Sequence, residues 1–149
     1  MKRIMGVDYG KARIGIALSD ELQMLAHPTE TIAVAKTPNP IARIAAITQE
    51  KNVERIIVGL PRHMNGSEGA SAEEARAFAE KLKAAVSCRV STLDERLSTV
   101  AAHRALQAAG KRTRETRGYI DQVAAQMLLQ GYLDSLPGNQ DEAELGDFA

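Results

Sequence analysis

Three acidic residues stand at positions where burial should disfavour a charge. Asp8 closes the first apolar run, and the two-residue period of a strand places it on the same face as Ile4 and Gly6. Glu95 follows the last predicted strand, and Asp121 begins a stripe at helical spacing that continues through Ala125, Leu128 and Tyr132. A buried carboxylate needs a partner or a metal ion, because an isolated buried charge is costly.

Each of these acids also has an ordinary structural interpretation. Asp8 suits a turn, Glu95 the first turn of a helix, and Asp121 a position near a helix N-terminus. The ends of two strands and the start of a packed helix can nevertheless bring all three carboxylates together. Carboxylate oxygens are the hard ligands that Mg²⁺ and Mn²⁺ prefer, so the three acids form a candidate metal site.

A carboxylate site of this type favours phosphodiester hydrolysis with two metal ions. Two ions roughly 3.5–4 Å apart can activate a water molecule and stabilise the leaving oxygen. Asp8 lies on the first strand, which we expect to be central, and therefore suits the carboxylate that bridges both ions. Glu95 and Asp121 would complete the two shells. The three histidines are far apart in the sequence and lack ligand spacing.

Positive charge is concentrated in one segment although the formal net charge of the chain is zero. Residues 104–117 contain a single acid and the bases Arg104, Lys111, Arg112, Arg114 and Arg117, whereas residues 134–149 contain acids and no Lys or Arg. Such a cluster favours a phosphate-binding surface, and a solvated connection between helices is the alternative. The aromatic residues are scattered, which argues against stacking of single-stranded bases.

The apolar periodicity predicts an α/β fold with a mixed sheet flanked by helices. The first three strands are expected to form an antiparallel meander; the five predicted strands are 3–9, 13–19, 29–35, 55–59 and 89–93. The predicted helices are 40–51, 71–86, 97–109 and 118–134. Gly15 and Ala17 leave room for a helix to approach the sheet, and Pro61 ends the fourth strand.

Two further segments could contact phosphates near the ends of the strands. A loop at 62–69, rich in Gly, Asn and Ser, follows the fourth strand and contains Arg62 and Asn65. Arg96 lies beside Glu95, where it either pairs with a carboxylate or binds a phosphate. Both segments are therefore candidates for nucleic-acid contacts.

Length and composition predict one cytoplasmic domain. A chain of 149 residues is long enough for a core without metal or disulfide support, and one cysteine excludes an internal disulfide. No apolar run approaches the ~20 residues of a membrane span, and Asp8 comes too early for a signal peptide. We expect a domain at 1–136 and a mobile acidic tail at 137–149.

Four blocks of the sequence resemble the YqgF family of Holliday-junction-resolvase-like or pre-16S rRNA nucleases. The first block is GVDYGKARIG at 6–15, and the second comprises GLP at 59–61 and MNGSEG at 64–69. The third is DERLST at 94–99, and the fourth comprises DQVAA at 121–125 and LQGYL at 129–133. The blocks span nearly all of 3–134. Asn65 and Ser98 stand where we expect Asp and Thr, and the tail lies outside the resemblance.

The resemblance implies a ribonuclease H-like fold and a metal-dependent nuclease. The family's acidic metal ligands would fall on Asp8, Glu95 and Asp121, with Mg²⁺ or Mn²⁺ as the cofactor and a two-ion site as the arrangement. The implied activity is 5′-end processing of pre-16S rRNA. We assign nine residues to nucleic-acid binding: Lys11, Arg13, Arg62, Asn65, Arg96, Lys111, Arg112, Arg114 and Arg117.

Three alternatives remain open at this point. One is resolution of branched DNA such as a Holliday junction in recombination or repair, which would favour a dimer; the sequence is compatible with a monomer or a homodimer. Another is a nucleic-acid-binding module without catalysis, against which the three acids argue. The last is a nucleotide-binding lobe like those of actin and the sugar kinases, but 149 residues supply only one of the two domains such proteins need.

Overall fold

The structure, a computed structural model, describes residues 2–61, 69–95 and 114–137, and of 114–119 the backbone alone. The strands in these residues are β1 Arg3–Asp8, β2 Arg13–Ser19, β3 Ala26–Ala33, β4 Val53–Leu60 and β5 Arg89–Asp94. The helices are α1 Pro40–Glu50, α2 Ala70–Ala85 and α3 Arg114–Ser135, and a short 3-10 helix covers Val34–Lys36. The predicted helix at 97–109, nearly all of the loop at 62–69 and all of the acidic tail beyond residue 137 lie outside the described residues.

The five strands form one mixed sheet in the order β3-β2-β1-β4-β5. The first three strands are antiparallel neighbours, which confirms the predicted meander. β4 then pairs in parallel with β1, and β5 pairs in parallel with β4. β1 is therefore central, and its carboxyl end lies at the same sheet edge as the carboxyl ends of β4 and β5.

Most element boundaries agree with the predictions to within two residues, but β3 and α3 do not. β3 begins at Ala26 and contains Pro28, which is tolerated because β3 is an edge strand and its register with β2 shifts between Ile16 and Ala17. The predicted start at residue 29 is wrong, because Pro28 interrupts the sequence pattern of a strand whereas the strand itself continues through it. α3 begins four residues before its predicted start, in the polar stretch 114–117, which has no apolar stripe to indicate a helix.

The sheet separates two apolar layers. One face carries Met5, Val7 and Ile16 and packs against α1 and α2 through residues such as Ile44 and Leu82. Asn39 caps α1 by accepting a hydrogen bond from the backbone N–H of Ala42, and Pro40 starts the helix.

The opposite face of the sheet is covered by α3. Ile4, Ala17 and Ile57 pack there against Leu129 and Leu133, so alternate residues of each central strand meet different helices. No helix among the described residues combines the length and apolar character that crossing a membrane requires.

Candidate functional site

Asp8 lies at the carboxyl end of the central strand, on the face of the sheet that α3 covers. Its side chain is only 8% exposed. Asp8 is paired with Gly15 of the antiparallel strand β2. On its other side, Val7 is aligned with Val58 of β4, so Gly59 stands level with Asp8. A glycine therefore flanks this carboxylate on each neighbouring strand.

Glu95 directly follows β5 and is 5% exposed. β4 separates β5 from β1 in the sheet, so Glu95 starts two strands away from Asp8. A Cβ atom built on Gly59 would lie 2.8 Å from Oε1 of Glu95 and 3.0 Å from Cδ2 of Leu128 in α3. The Glu95 carboxylate thus occupies the space above Gly59, on the α3 side of the sheet and level with Asp8.

Asp121 approaches the same level from α3. A Cβ atom on Gly15 would overlap the main-chain oxygen of Asp121 and lie 3.1 Å from its Cβ. Asp121 therefore lies above β2, on the opposite side of Asp8 from Glu95. We call Asp121, Asp8 and Glu95 the carboxylate row, because they follow one another across β2, β1 and β4 at the carboxyl edge of β1.

The carboxylate of Asp121 is bound by an arginine of this chain. Nε of Arg13 donates a hydrogen bond of 2.7 Å to Oδ2 of Asp121. The Arg13 and Asp121 side chains are 36% and 21% exposed. Arg13 is two residues before Gly15 on β2, so both residues lie on the α3 face of the sheet.

The chemistry of the row fits a divalent cation. The row supplies only carboxylate oxygens, and two of its three carboxylates belong to buried residues. Hard cations such as Mg²⁺ and Mn²⁺ prefer oxygen donors. In the arrangement described here, however, no three His, Cys, Asp or Glu side chains of residues 2–61, 69–95 and 120–137 form a group that could hold a metal. In this arrangement the Asp121 carboxylate is paired with Arg13.

The other predicted site residues are distributed around the same edge or lie outside the description. Nζ of Lys11, in the turn after β1, is 3.1 Å from Oε1 of Glu74 in the first turns of α2. Arg114 and Arg117 belong to the first turns of α3, where the backbone alone is described. The remaining candidates lie outside the described residues: Arg62, Asn65, Arg96, Lys111 and Arg112.

A polar crevice of about 820 Å³ opens at the opposite edge of the sheet, where the parallel strands begin. Its lining includes Lys2, Val53, Arg89 and Cys88. Burial raises the pKa of the Cys88 thiol, which makes this side chain less nucleophilic. The crevice thus contains none of the row's acids.

Two features of the site were not predicted from the sequence. Only Pro61 was given a role at the end of the fourth strand. Gly59 was given none, although a glycine inside an apolar strand indicates a close approach by another group. The Arg13–Asp121 ion pair joins residues 108 positions apart, and nothing in the sequence indicates it.

Comparisons with known proteins agree on one family. A family model described as "RuvX: Holliday junction resolvase" matches residues 2–135. A protein of Moorella thermoacetica described as "Putative pre-16S rRNA nuclease" is 48% identical over 137 residues, which cover 92% of this chain and 98% of the relative. A protein of Anaeromyxobacter sp. with the same description is 46% identical over 132 residues, covering 89% and 96%.

A solved structure supports the same fold. T. thermophilus RuvC in complex with Holliday junction substrate superposes with a TM-score of 0.53 over 93% of this chain and 98% of that chain. The two sequences are 15% identical, so this likeness concerns the fold alone. It confirms the ribonuclease H-like architecture predicted from the sequence.

Proposed function

The chain belongs to the RuvX family and is a nuclease, and we propose that its substrate is the precursor of 16S rRNA, which it cuts during 5′-end processing. The carboxylate row is the observation that carries the chemistry, because two buried acids and a third on α3 lie at the carboxyl edge of the central strand. The choice of substrate is supported by two relatives that are nearly half identical to this chain, each of which is described as a pre-16S rRNA nuclease.

Asp8, Glu95 and Asp121 would hold the metal, Mg²⁺ or Mn²⁺. When bound, such ions lower the pKa of a water molecule and stabilise the leaving oxygen of the phosphodiester. The chain contributes the positions of the ligands. Asp8 is fixed by strands on both sides, the carboxylate of Glu95 occupies the space above Gly59, and α3 holds Asp121 through buried residues such as Ala125.

The substrate would be bound by basic residues around this edge. α3 runs antiparallel to β1, because Asp121 lies above Gly15 whereas Leu129 lies against Gly6. The first turns of α3 therefore extend past the row, beyond the carboxyl edge of β1. A helix N-terminus attracts anions, and the segment leading into α3 is rich in arginine, so we assign Lys111, Arg112, Arg114 and Arg117 to phosphate binding.

The remaining basic and polar candidates would complete the nucleic-acid surface. Lys11 lies in the turn that directly follows Asp8, and Arg13 already lies beside the row. Arg62, Asn65 and Arg96 belong to the segments that follow β4 and β5, the strands whose carboxyl ends share this edge. We further propose that the domain spans 1–136, that the acidic tail is separate from it, and that the protein works in the cytoplasm as a monomer or a homodimer.

Cleavage of branched DNA is the second candidate function. It is favoured by the description of the family as a Holliday junction resolvase and by the fold shared with RuvC. Both functions would use the carboxylate row. They differ in substrate, and a junction resolvase would require two active sites and hence a dimer.

A side-by-side cleavage assay in Mn²⁺ separates these functions. The substrates are a precursor 16S leader RNA, an unstructured single-stranded RNA and a four-way DNA junction, each offered to the wild type and to Asp8→Asn. We expect cleavage of the leader RNA, and this cleavage should be at least about a hundredfold slower in Asp8→Asn because a metal ligand is lost, on the order of the effects of removing a central electrostatic group.

The same variant also provides a measurement of folding. Neighbouring ionised carboxylates repel one another without metal, so Asp8→Asn should melt at a higher temperature than the wild type in chelator. Cleavage of the junction alone would replace the proposed substrate by branched DNA. Full activity of Asp8→Asn, together with an unchanged melting temperature, would show that Asp8 does not belong to the catalytic site.

A further inference from the structure

We propose that Arg13 is an internal counter-ion that occupies the Asp121 carboxylate until a divalent metal displaces it. This inference rests on the proposed function of the carboxylate row. Its basis is the hydrogen bond of 2.7 Å from Nε of Arg13 to Oδ2 of Asp121, together with the position of both residues beside Asp8. Arg13 is thus a positioning residue that sets how readily Asp121 becomes available as a ligand.

Geometry places the guanidinium in direct competition with a metal ion. Asp121 is bound to a cation of the chain through this hydrogen bond, and in this arrangement the described side chains form no three-acid metal group. A carboxylate oxygen that accepts a short hydrogen bond from arginine has that lone pair occupied. A metal ion that binds through Oδ2 must displace Arg13, and one that binds through Oδ1 meets a carboxylate whose negative charge Arg13 already offsets.

The same contact offsets the charge of the Asp121 carboxylate. The main-chain oxygen of Asp121 is packed against Gly15, so the backbone holds this residue near Asp8. An arginine on the neighbouring strand supplies the positive charge that relieves repulsion at this position. The pair is partly exposed and so contributes modestly, which means that a divalent ion can replace it at low cost.

Release of Arg13 also provides a cation for the substrate. The guanidinium is attached to β2 at the edge where the phosphodiester would bind, and arginine binds phosphate oxygens in the same bidentate manner as carboxylates. When a metal ion replaces Arg13 at Asp121, the Asp121 carboxylate would thus become a metal ligand and the Arg13 guanidinium would become available for phosphate.

The test is the affinity of the full chain for MnCl₂, measured by isothermal titration calorimetry without nucleic acid. Arg13→Gln should bind Mn²⁺ about two- to fivefold more tightly than the wild type, the range expected for removing a partly exposed competing ion pair. Arg43→Gln is the matched control. Arg43 forms an ion pair of the same 2.7 Å length with Glu30, and α1, which carries it, packs against the opposite face of the sheet. Its affinity for Mn²⁺ should equal that of the wild type.

A second pair of variants establishes that the effect passes through Asp121. In an Asp121→Asn background the further change Arg13→Gln should produce no gain in affinity, because the competed carboxylate is absent. Equal or weaker Mn²⁺ binding by Arg13→Gln, with wild-type binding intact, would overturn the counter-ion role and leave the proposed metal site standing. Failure of the wild type and Arg13→Gln alike to bind Mn²⁺ would overturn both.

Discussion

Two ion pairs of equal length have different surroundings in this protein. Arg13 contacts Asp121 beside the carboxylate row, whereas Arg43 binds Glu30 through two hydrogen bonds on the other side of the sheet. The hydrogen bonds from Arg43 hold the pKa of Glu30 below its ordinary value of 4.5, and the pKa of Arg43 is raised in turn. The Arg43–Glu30 pair therefore contributes to stability in a way that depends on pH.

The residue-scale prediction concerns Arg43→Gln. A carboxyl group with a lowered pKa in the folded state stabilises the fold above its unfolded pKa, and this stabilisation is lost as pH falls through the folded pKa. Arg43→Gln should therefore lower the free energy of unfolding at pH 7 by up to about 1 kcal/mol, the value typical of partly exposed pairs. Urea denaturation at pH 7 and at a series of values below pH 4.5 should show the deficit shrinking with acidity. A deficit that is constant with pH would assign the effect to packing of the arginine stem.

Single residues were predictable where the local pattern singles them out. Asp8 closes an apolar run, Glu95 follows a strand and Asp121 begins an apolar stripe, and the structure places all three at one edge. The partner of Asp121 was not predictable, because an ion pair between partly exposed residues leaves no periodic trace in either segment.

At the scale of elements, the site depends on how closely α3 lies on the sheet. Gly15 and Gly59 present no side chain to the helix, so the Asp121 backbone and the Glu95 carboxylate reach positions that a methyl group would fill. Gly15 was predicted to make room for a helix, and the structure confirms that approach.

Gly15→Ala should separate α3 from the sheet. The new methyl group would overlap the main-chain oxygen of Asp121, and backbone cannot move aside without shifting the helix. We expect a loss of about 1–3 kcal/mol in the free energy of unfolding, as for other overpacked cores, together with weaker Mn²⁺ binding. Denaturation and calorimetry measure the two effects.

The control for Gly15→Ala is Thr29→Ala on the exposed side of the edge strand β3. This change should alter stability by no more than about 0.5 kcal/mol, as is usual for surface positions. A Gly15→Ala protein as stable as the control, with unchanged Mn²⁺ affinity, would contradict the role given to close packing.

The limits of element prediction have physical causes. Strands buried on both faces, such as β4, show unbroken apolar runs and were located to within two residues. Where polar residues continue an element, as in the first turn of α3, or where an edge strand accepts a proline, as in β3, packing rather than local pattern decides the boundary.

For the whole molecule, the distribution of charge matters more than its sum. The formal net charge is zero, yet the basic segment leads into the end of α3 that lies beyond the carboxylate row. Arginines in the first turns of a helix are unfavourable for the helix dipole, which attracts acidic residues there. The proposed phosphate-binding role gives Arg114 and Arg117 an anionic partner instead.

Replacement of Arg112, Arg114 and Arg117 by Gln should weaken binding of the leader RNA and flatten its salt dependence. Each lost phosphate contact reduces the slope of log K against log salt by about 0.7–0.9. Fluorescence anisotropy in chelator over a range of salt concentrations measures this slope without cleavage.

The matched control removes three exposed lysines from or beside α1 and α2, on the other face: Lys51, Lys81 and Lys83. It changes the net charge equally and should leave the slope near that of the wild type. Equal slopes in the arginine variant and the control would show that the basic segment is a solvated connection.

The contacts that join α3 to the first three strands link residues at least 100 positions apart. Gln126 and Gln130 hydrogen-bond the backbone of Ala26 across 100 and 104 positions, and Arg13 reaches Asp121 across 108. Synthesis proceeds from the N-terminus, so the meander is made long before the helix that covers it. A nascent chain contains Asp8 early but acquires Asp121 more than a hundred residues later. Under the proposed function the nuclease is thus inactive until α3 has been synthesised, a delay imposed by the order of synthesis and requiring no inhibitor.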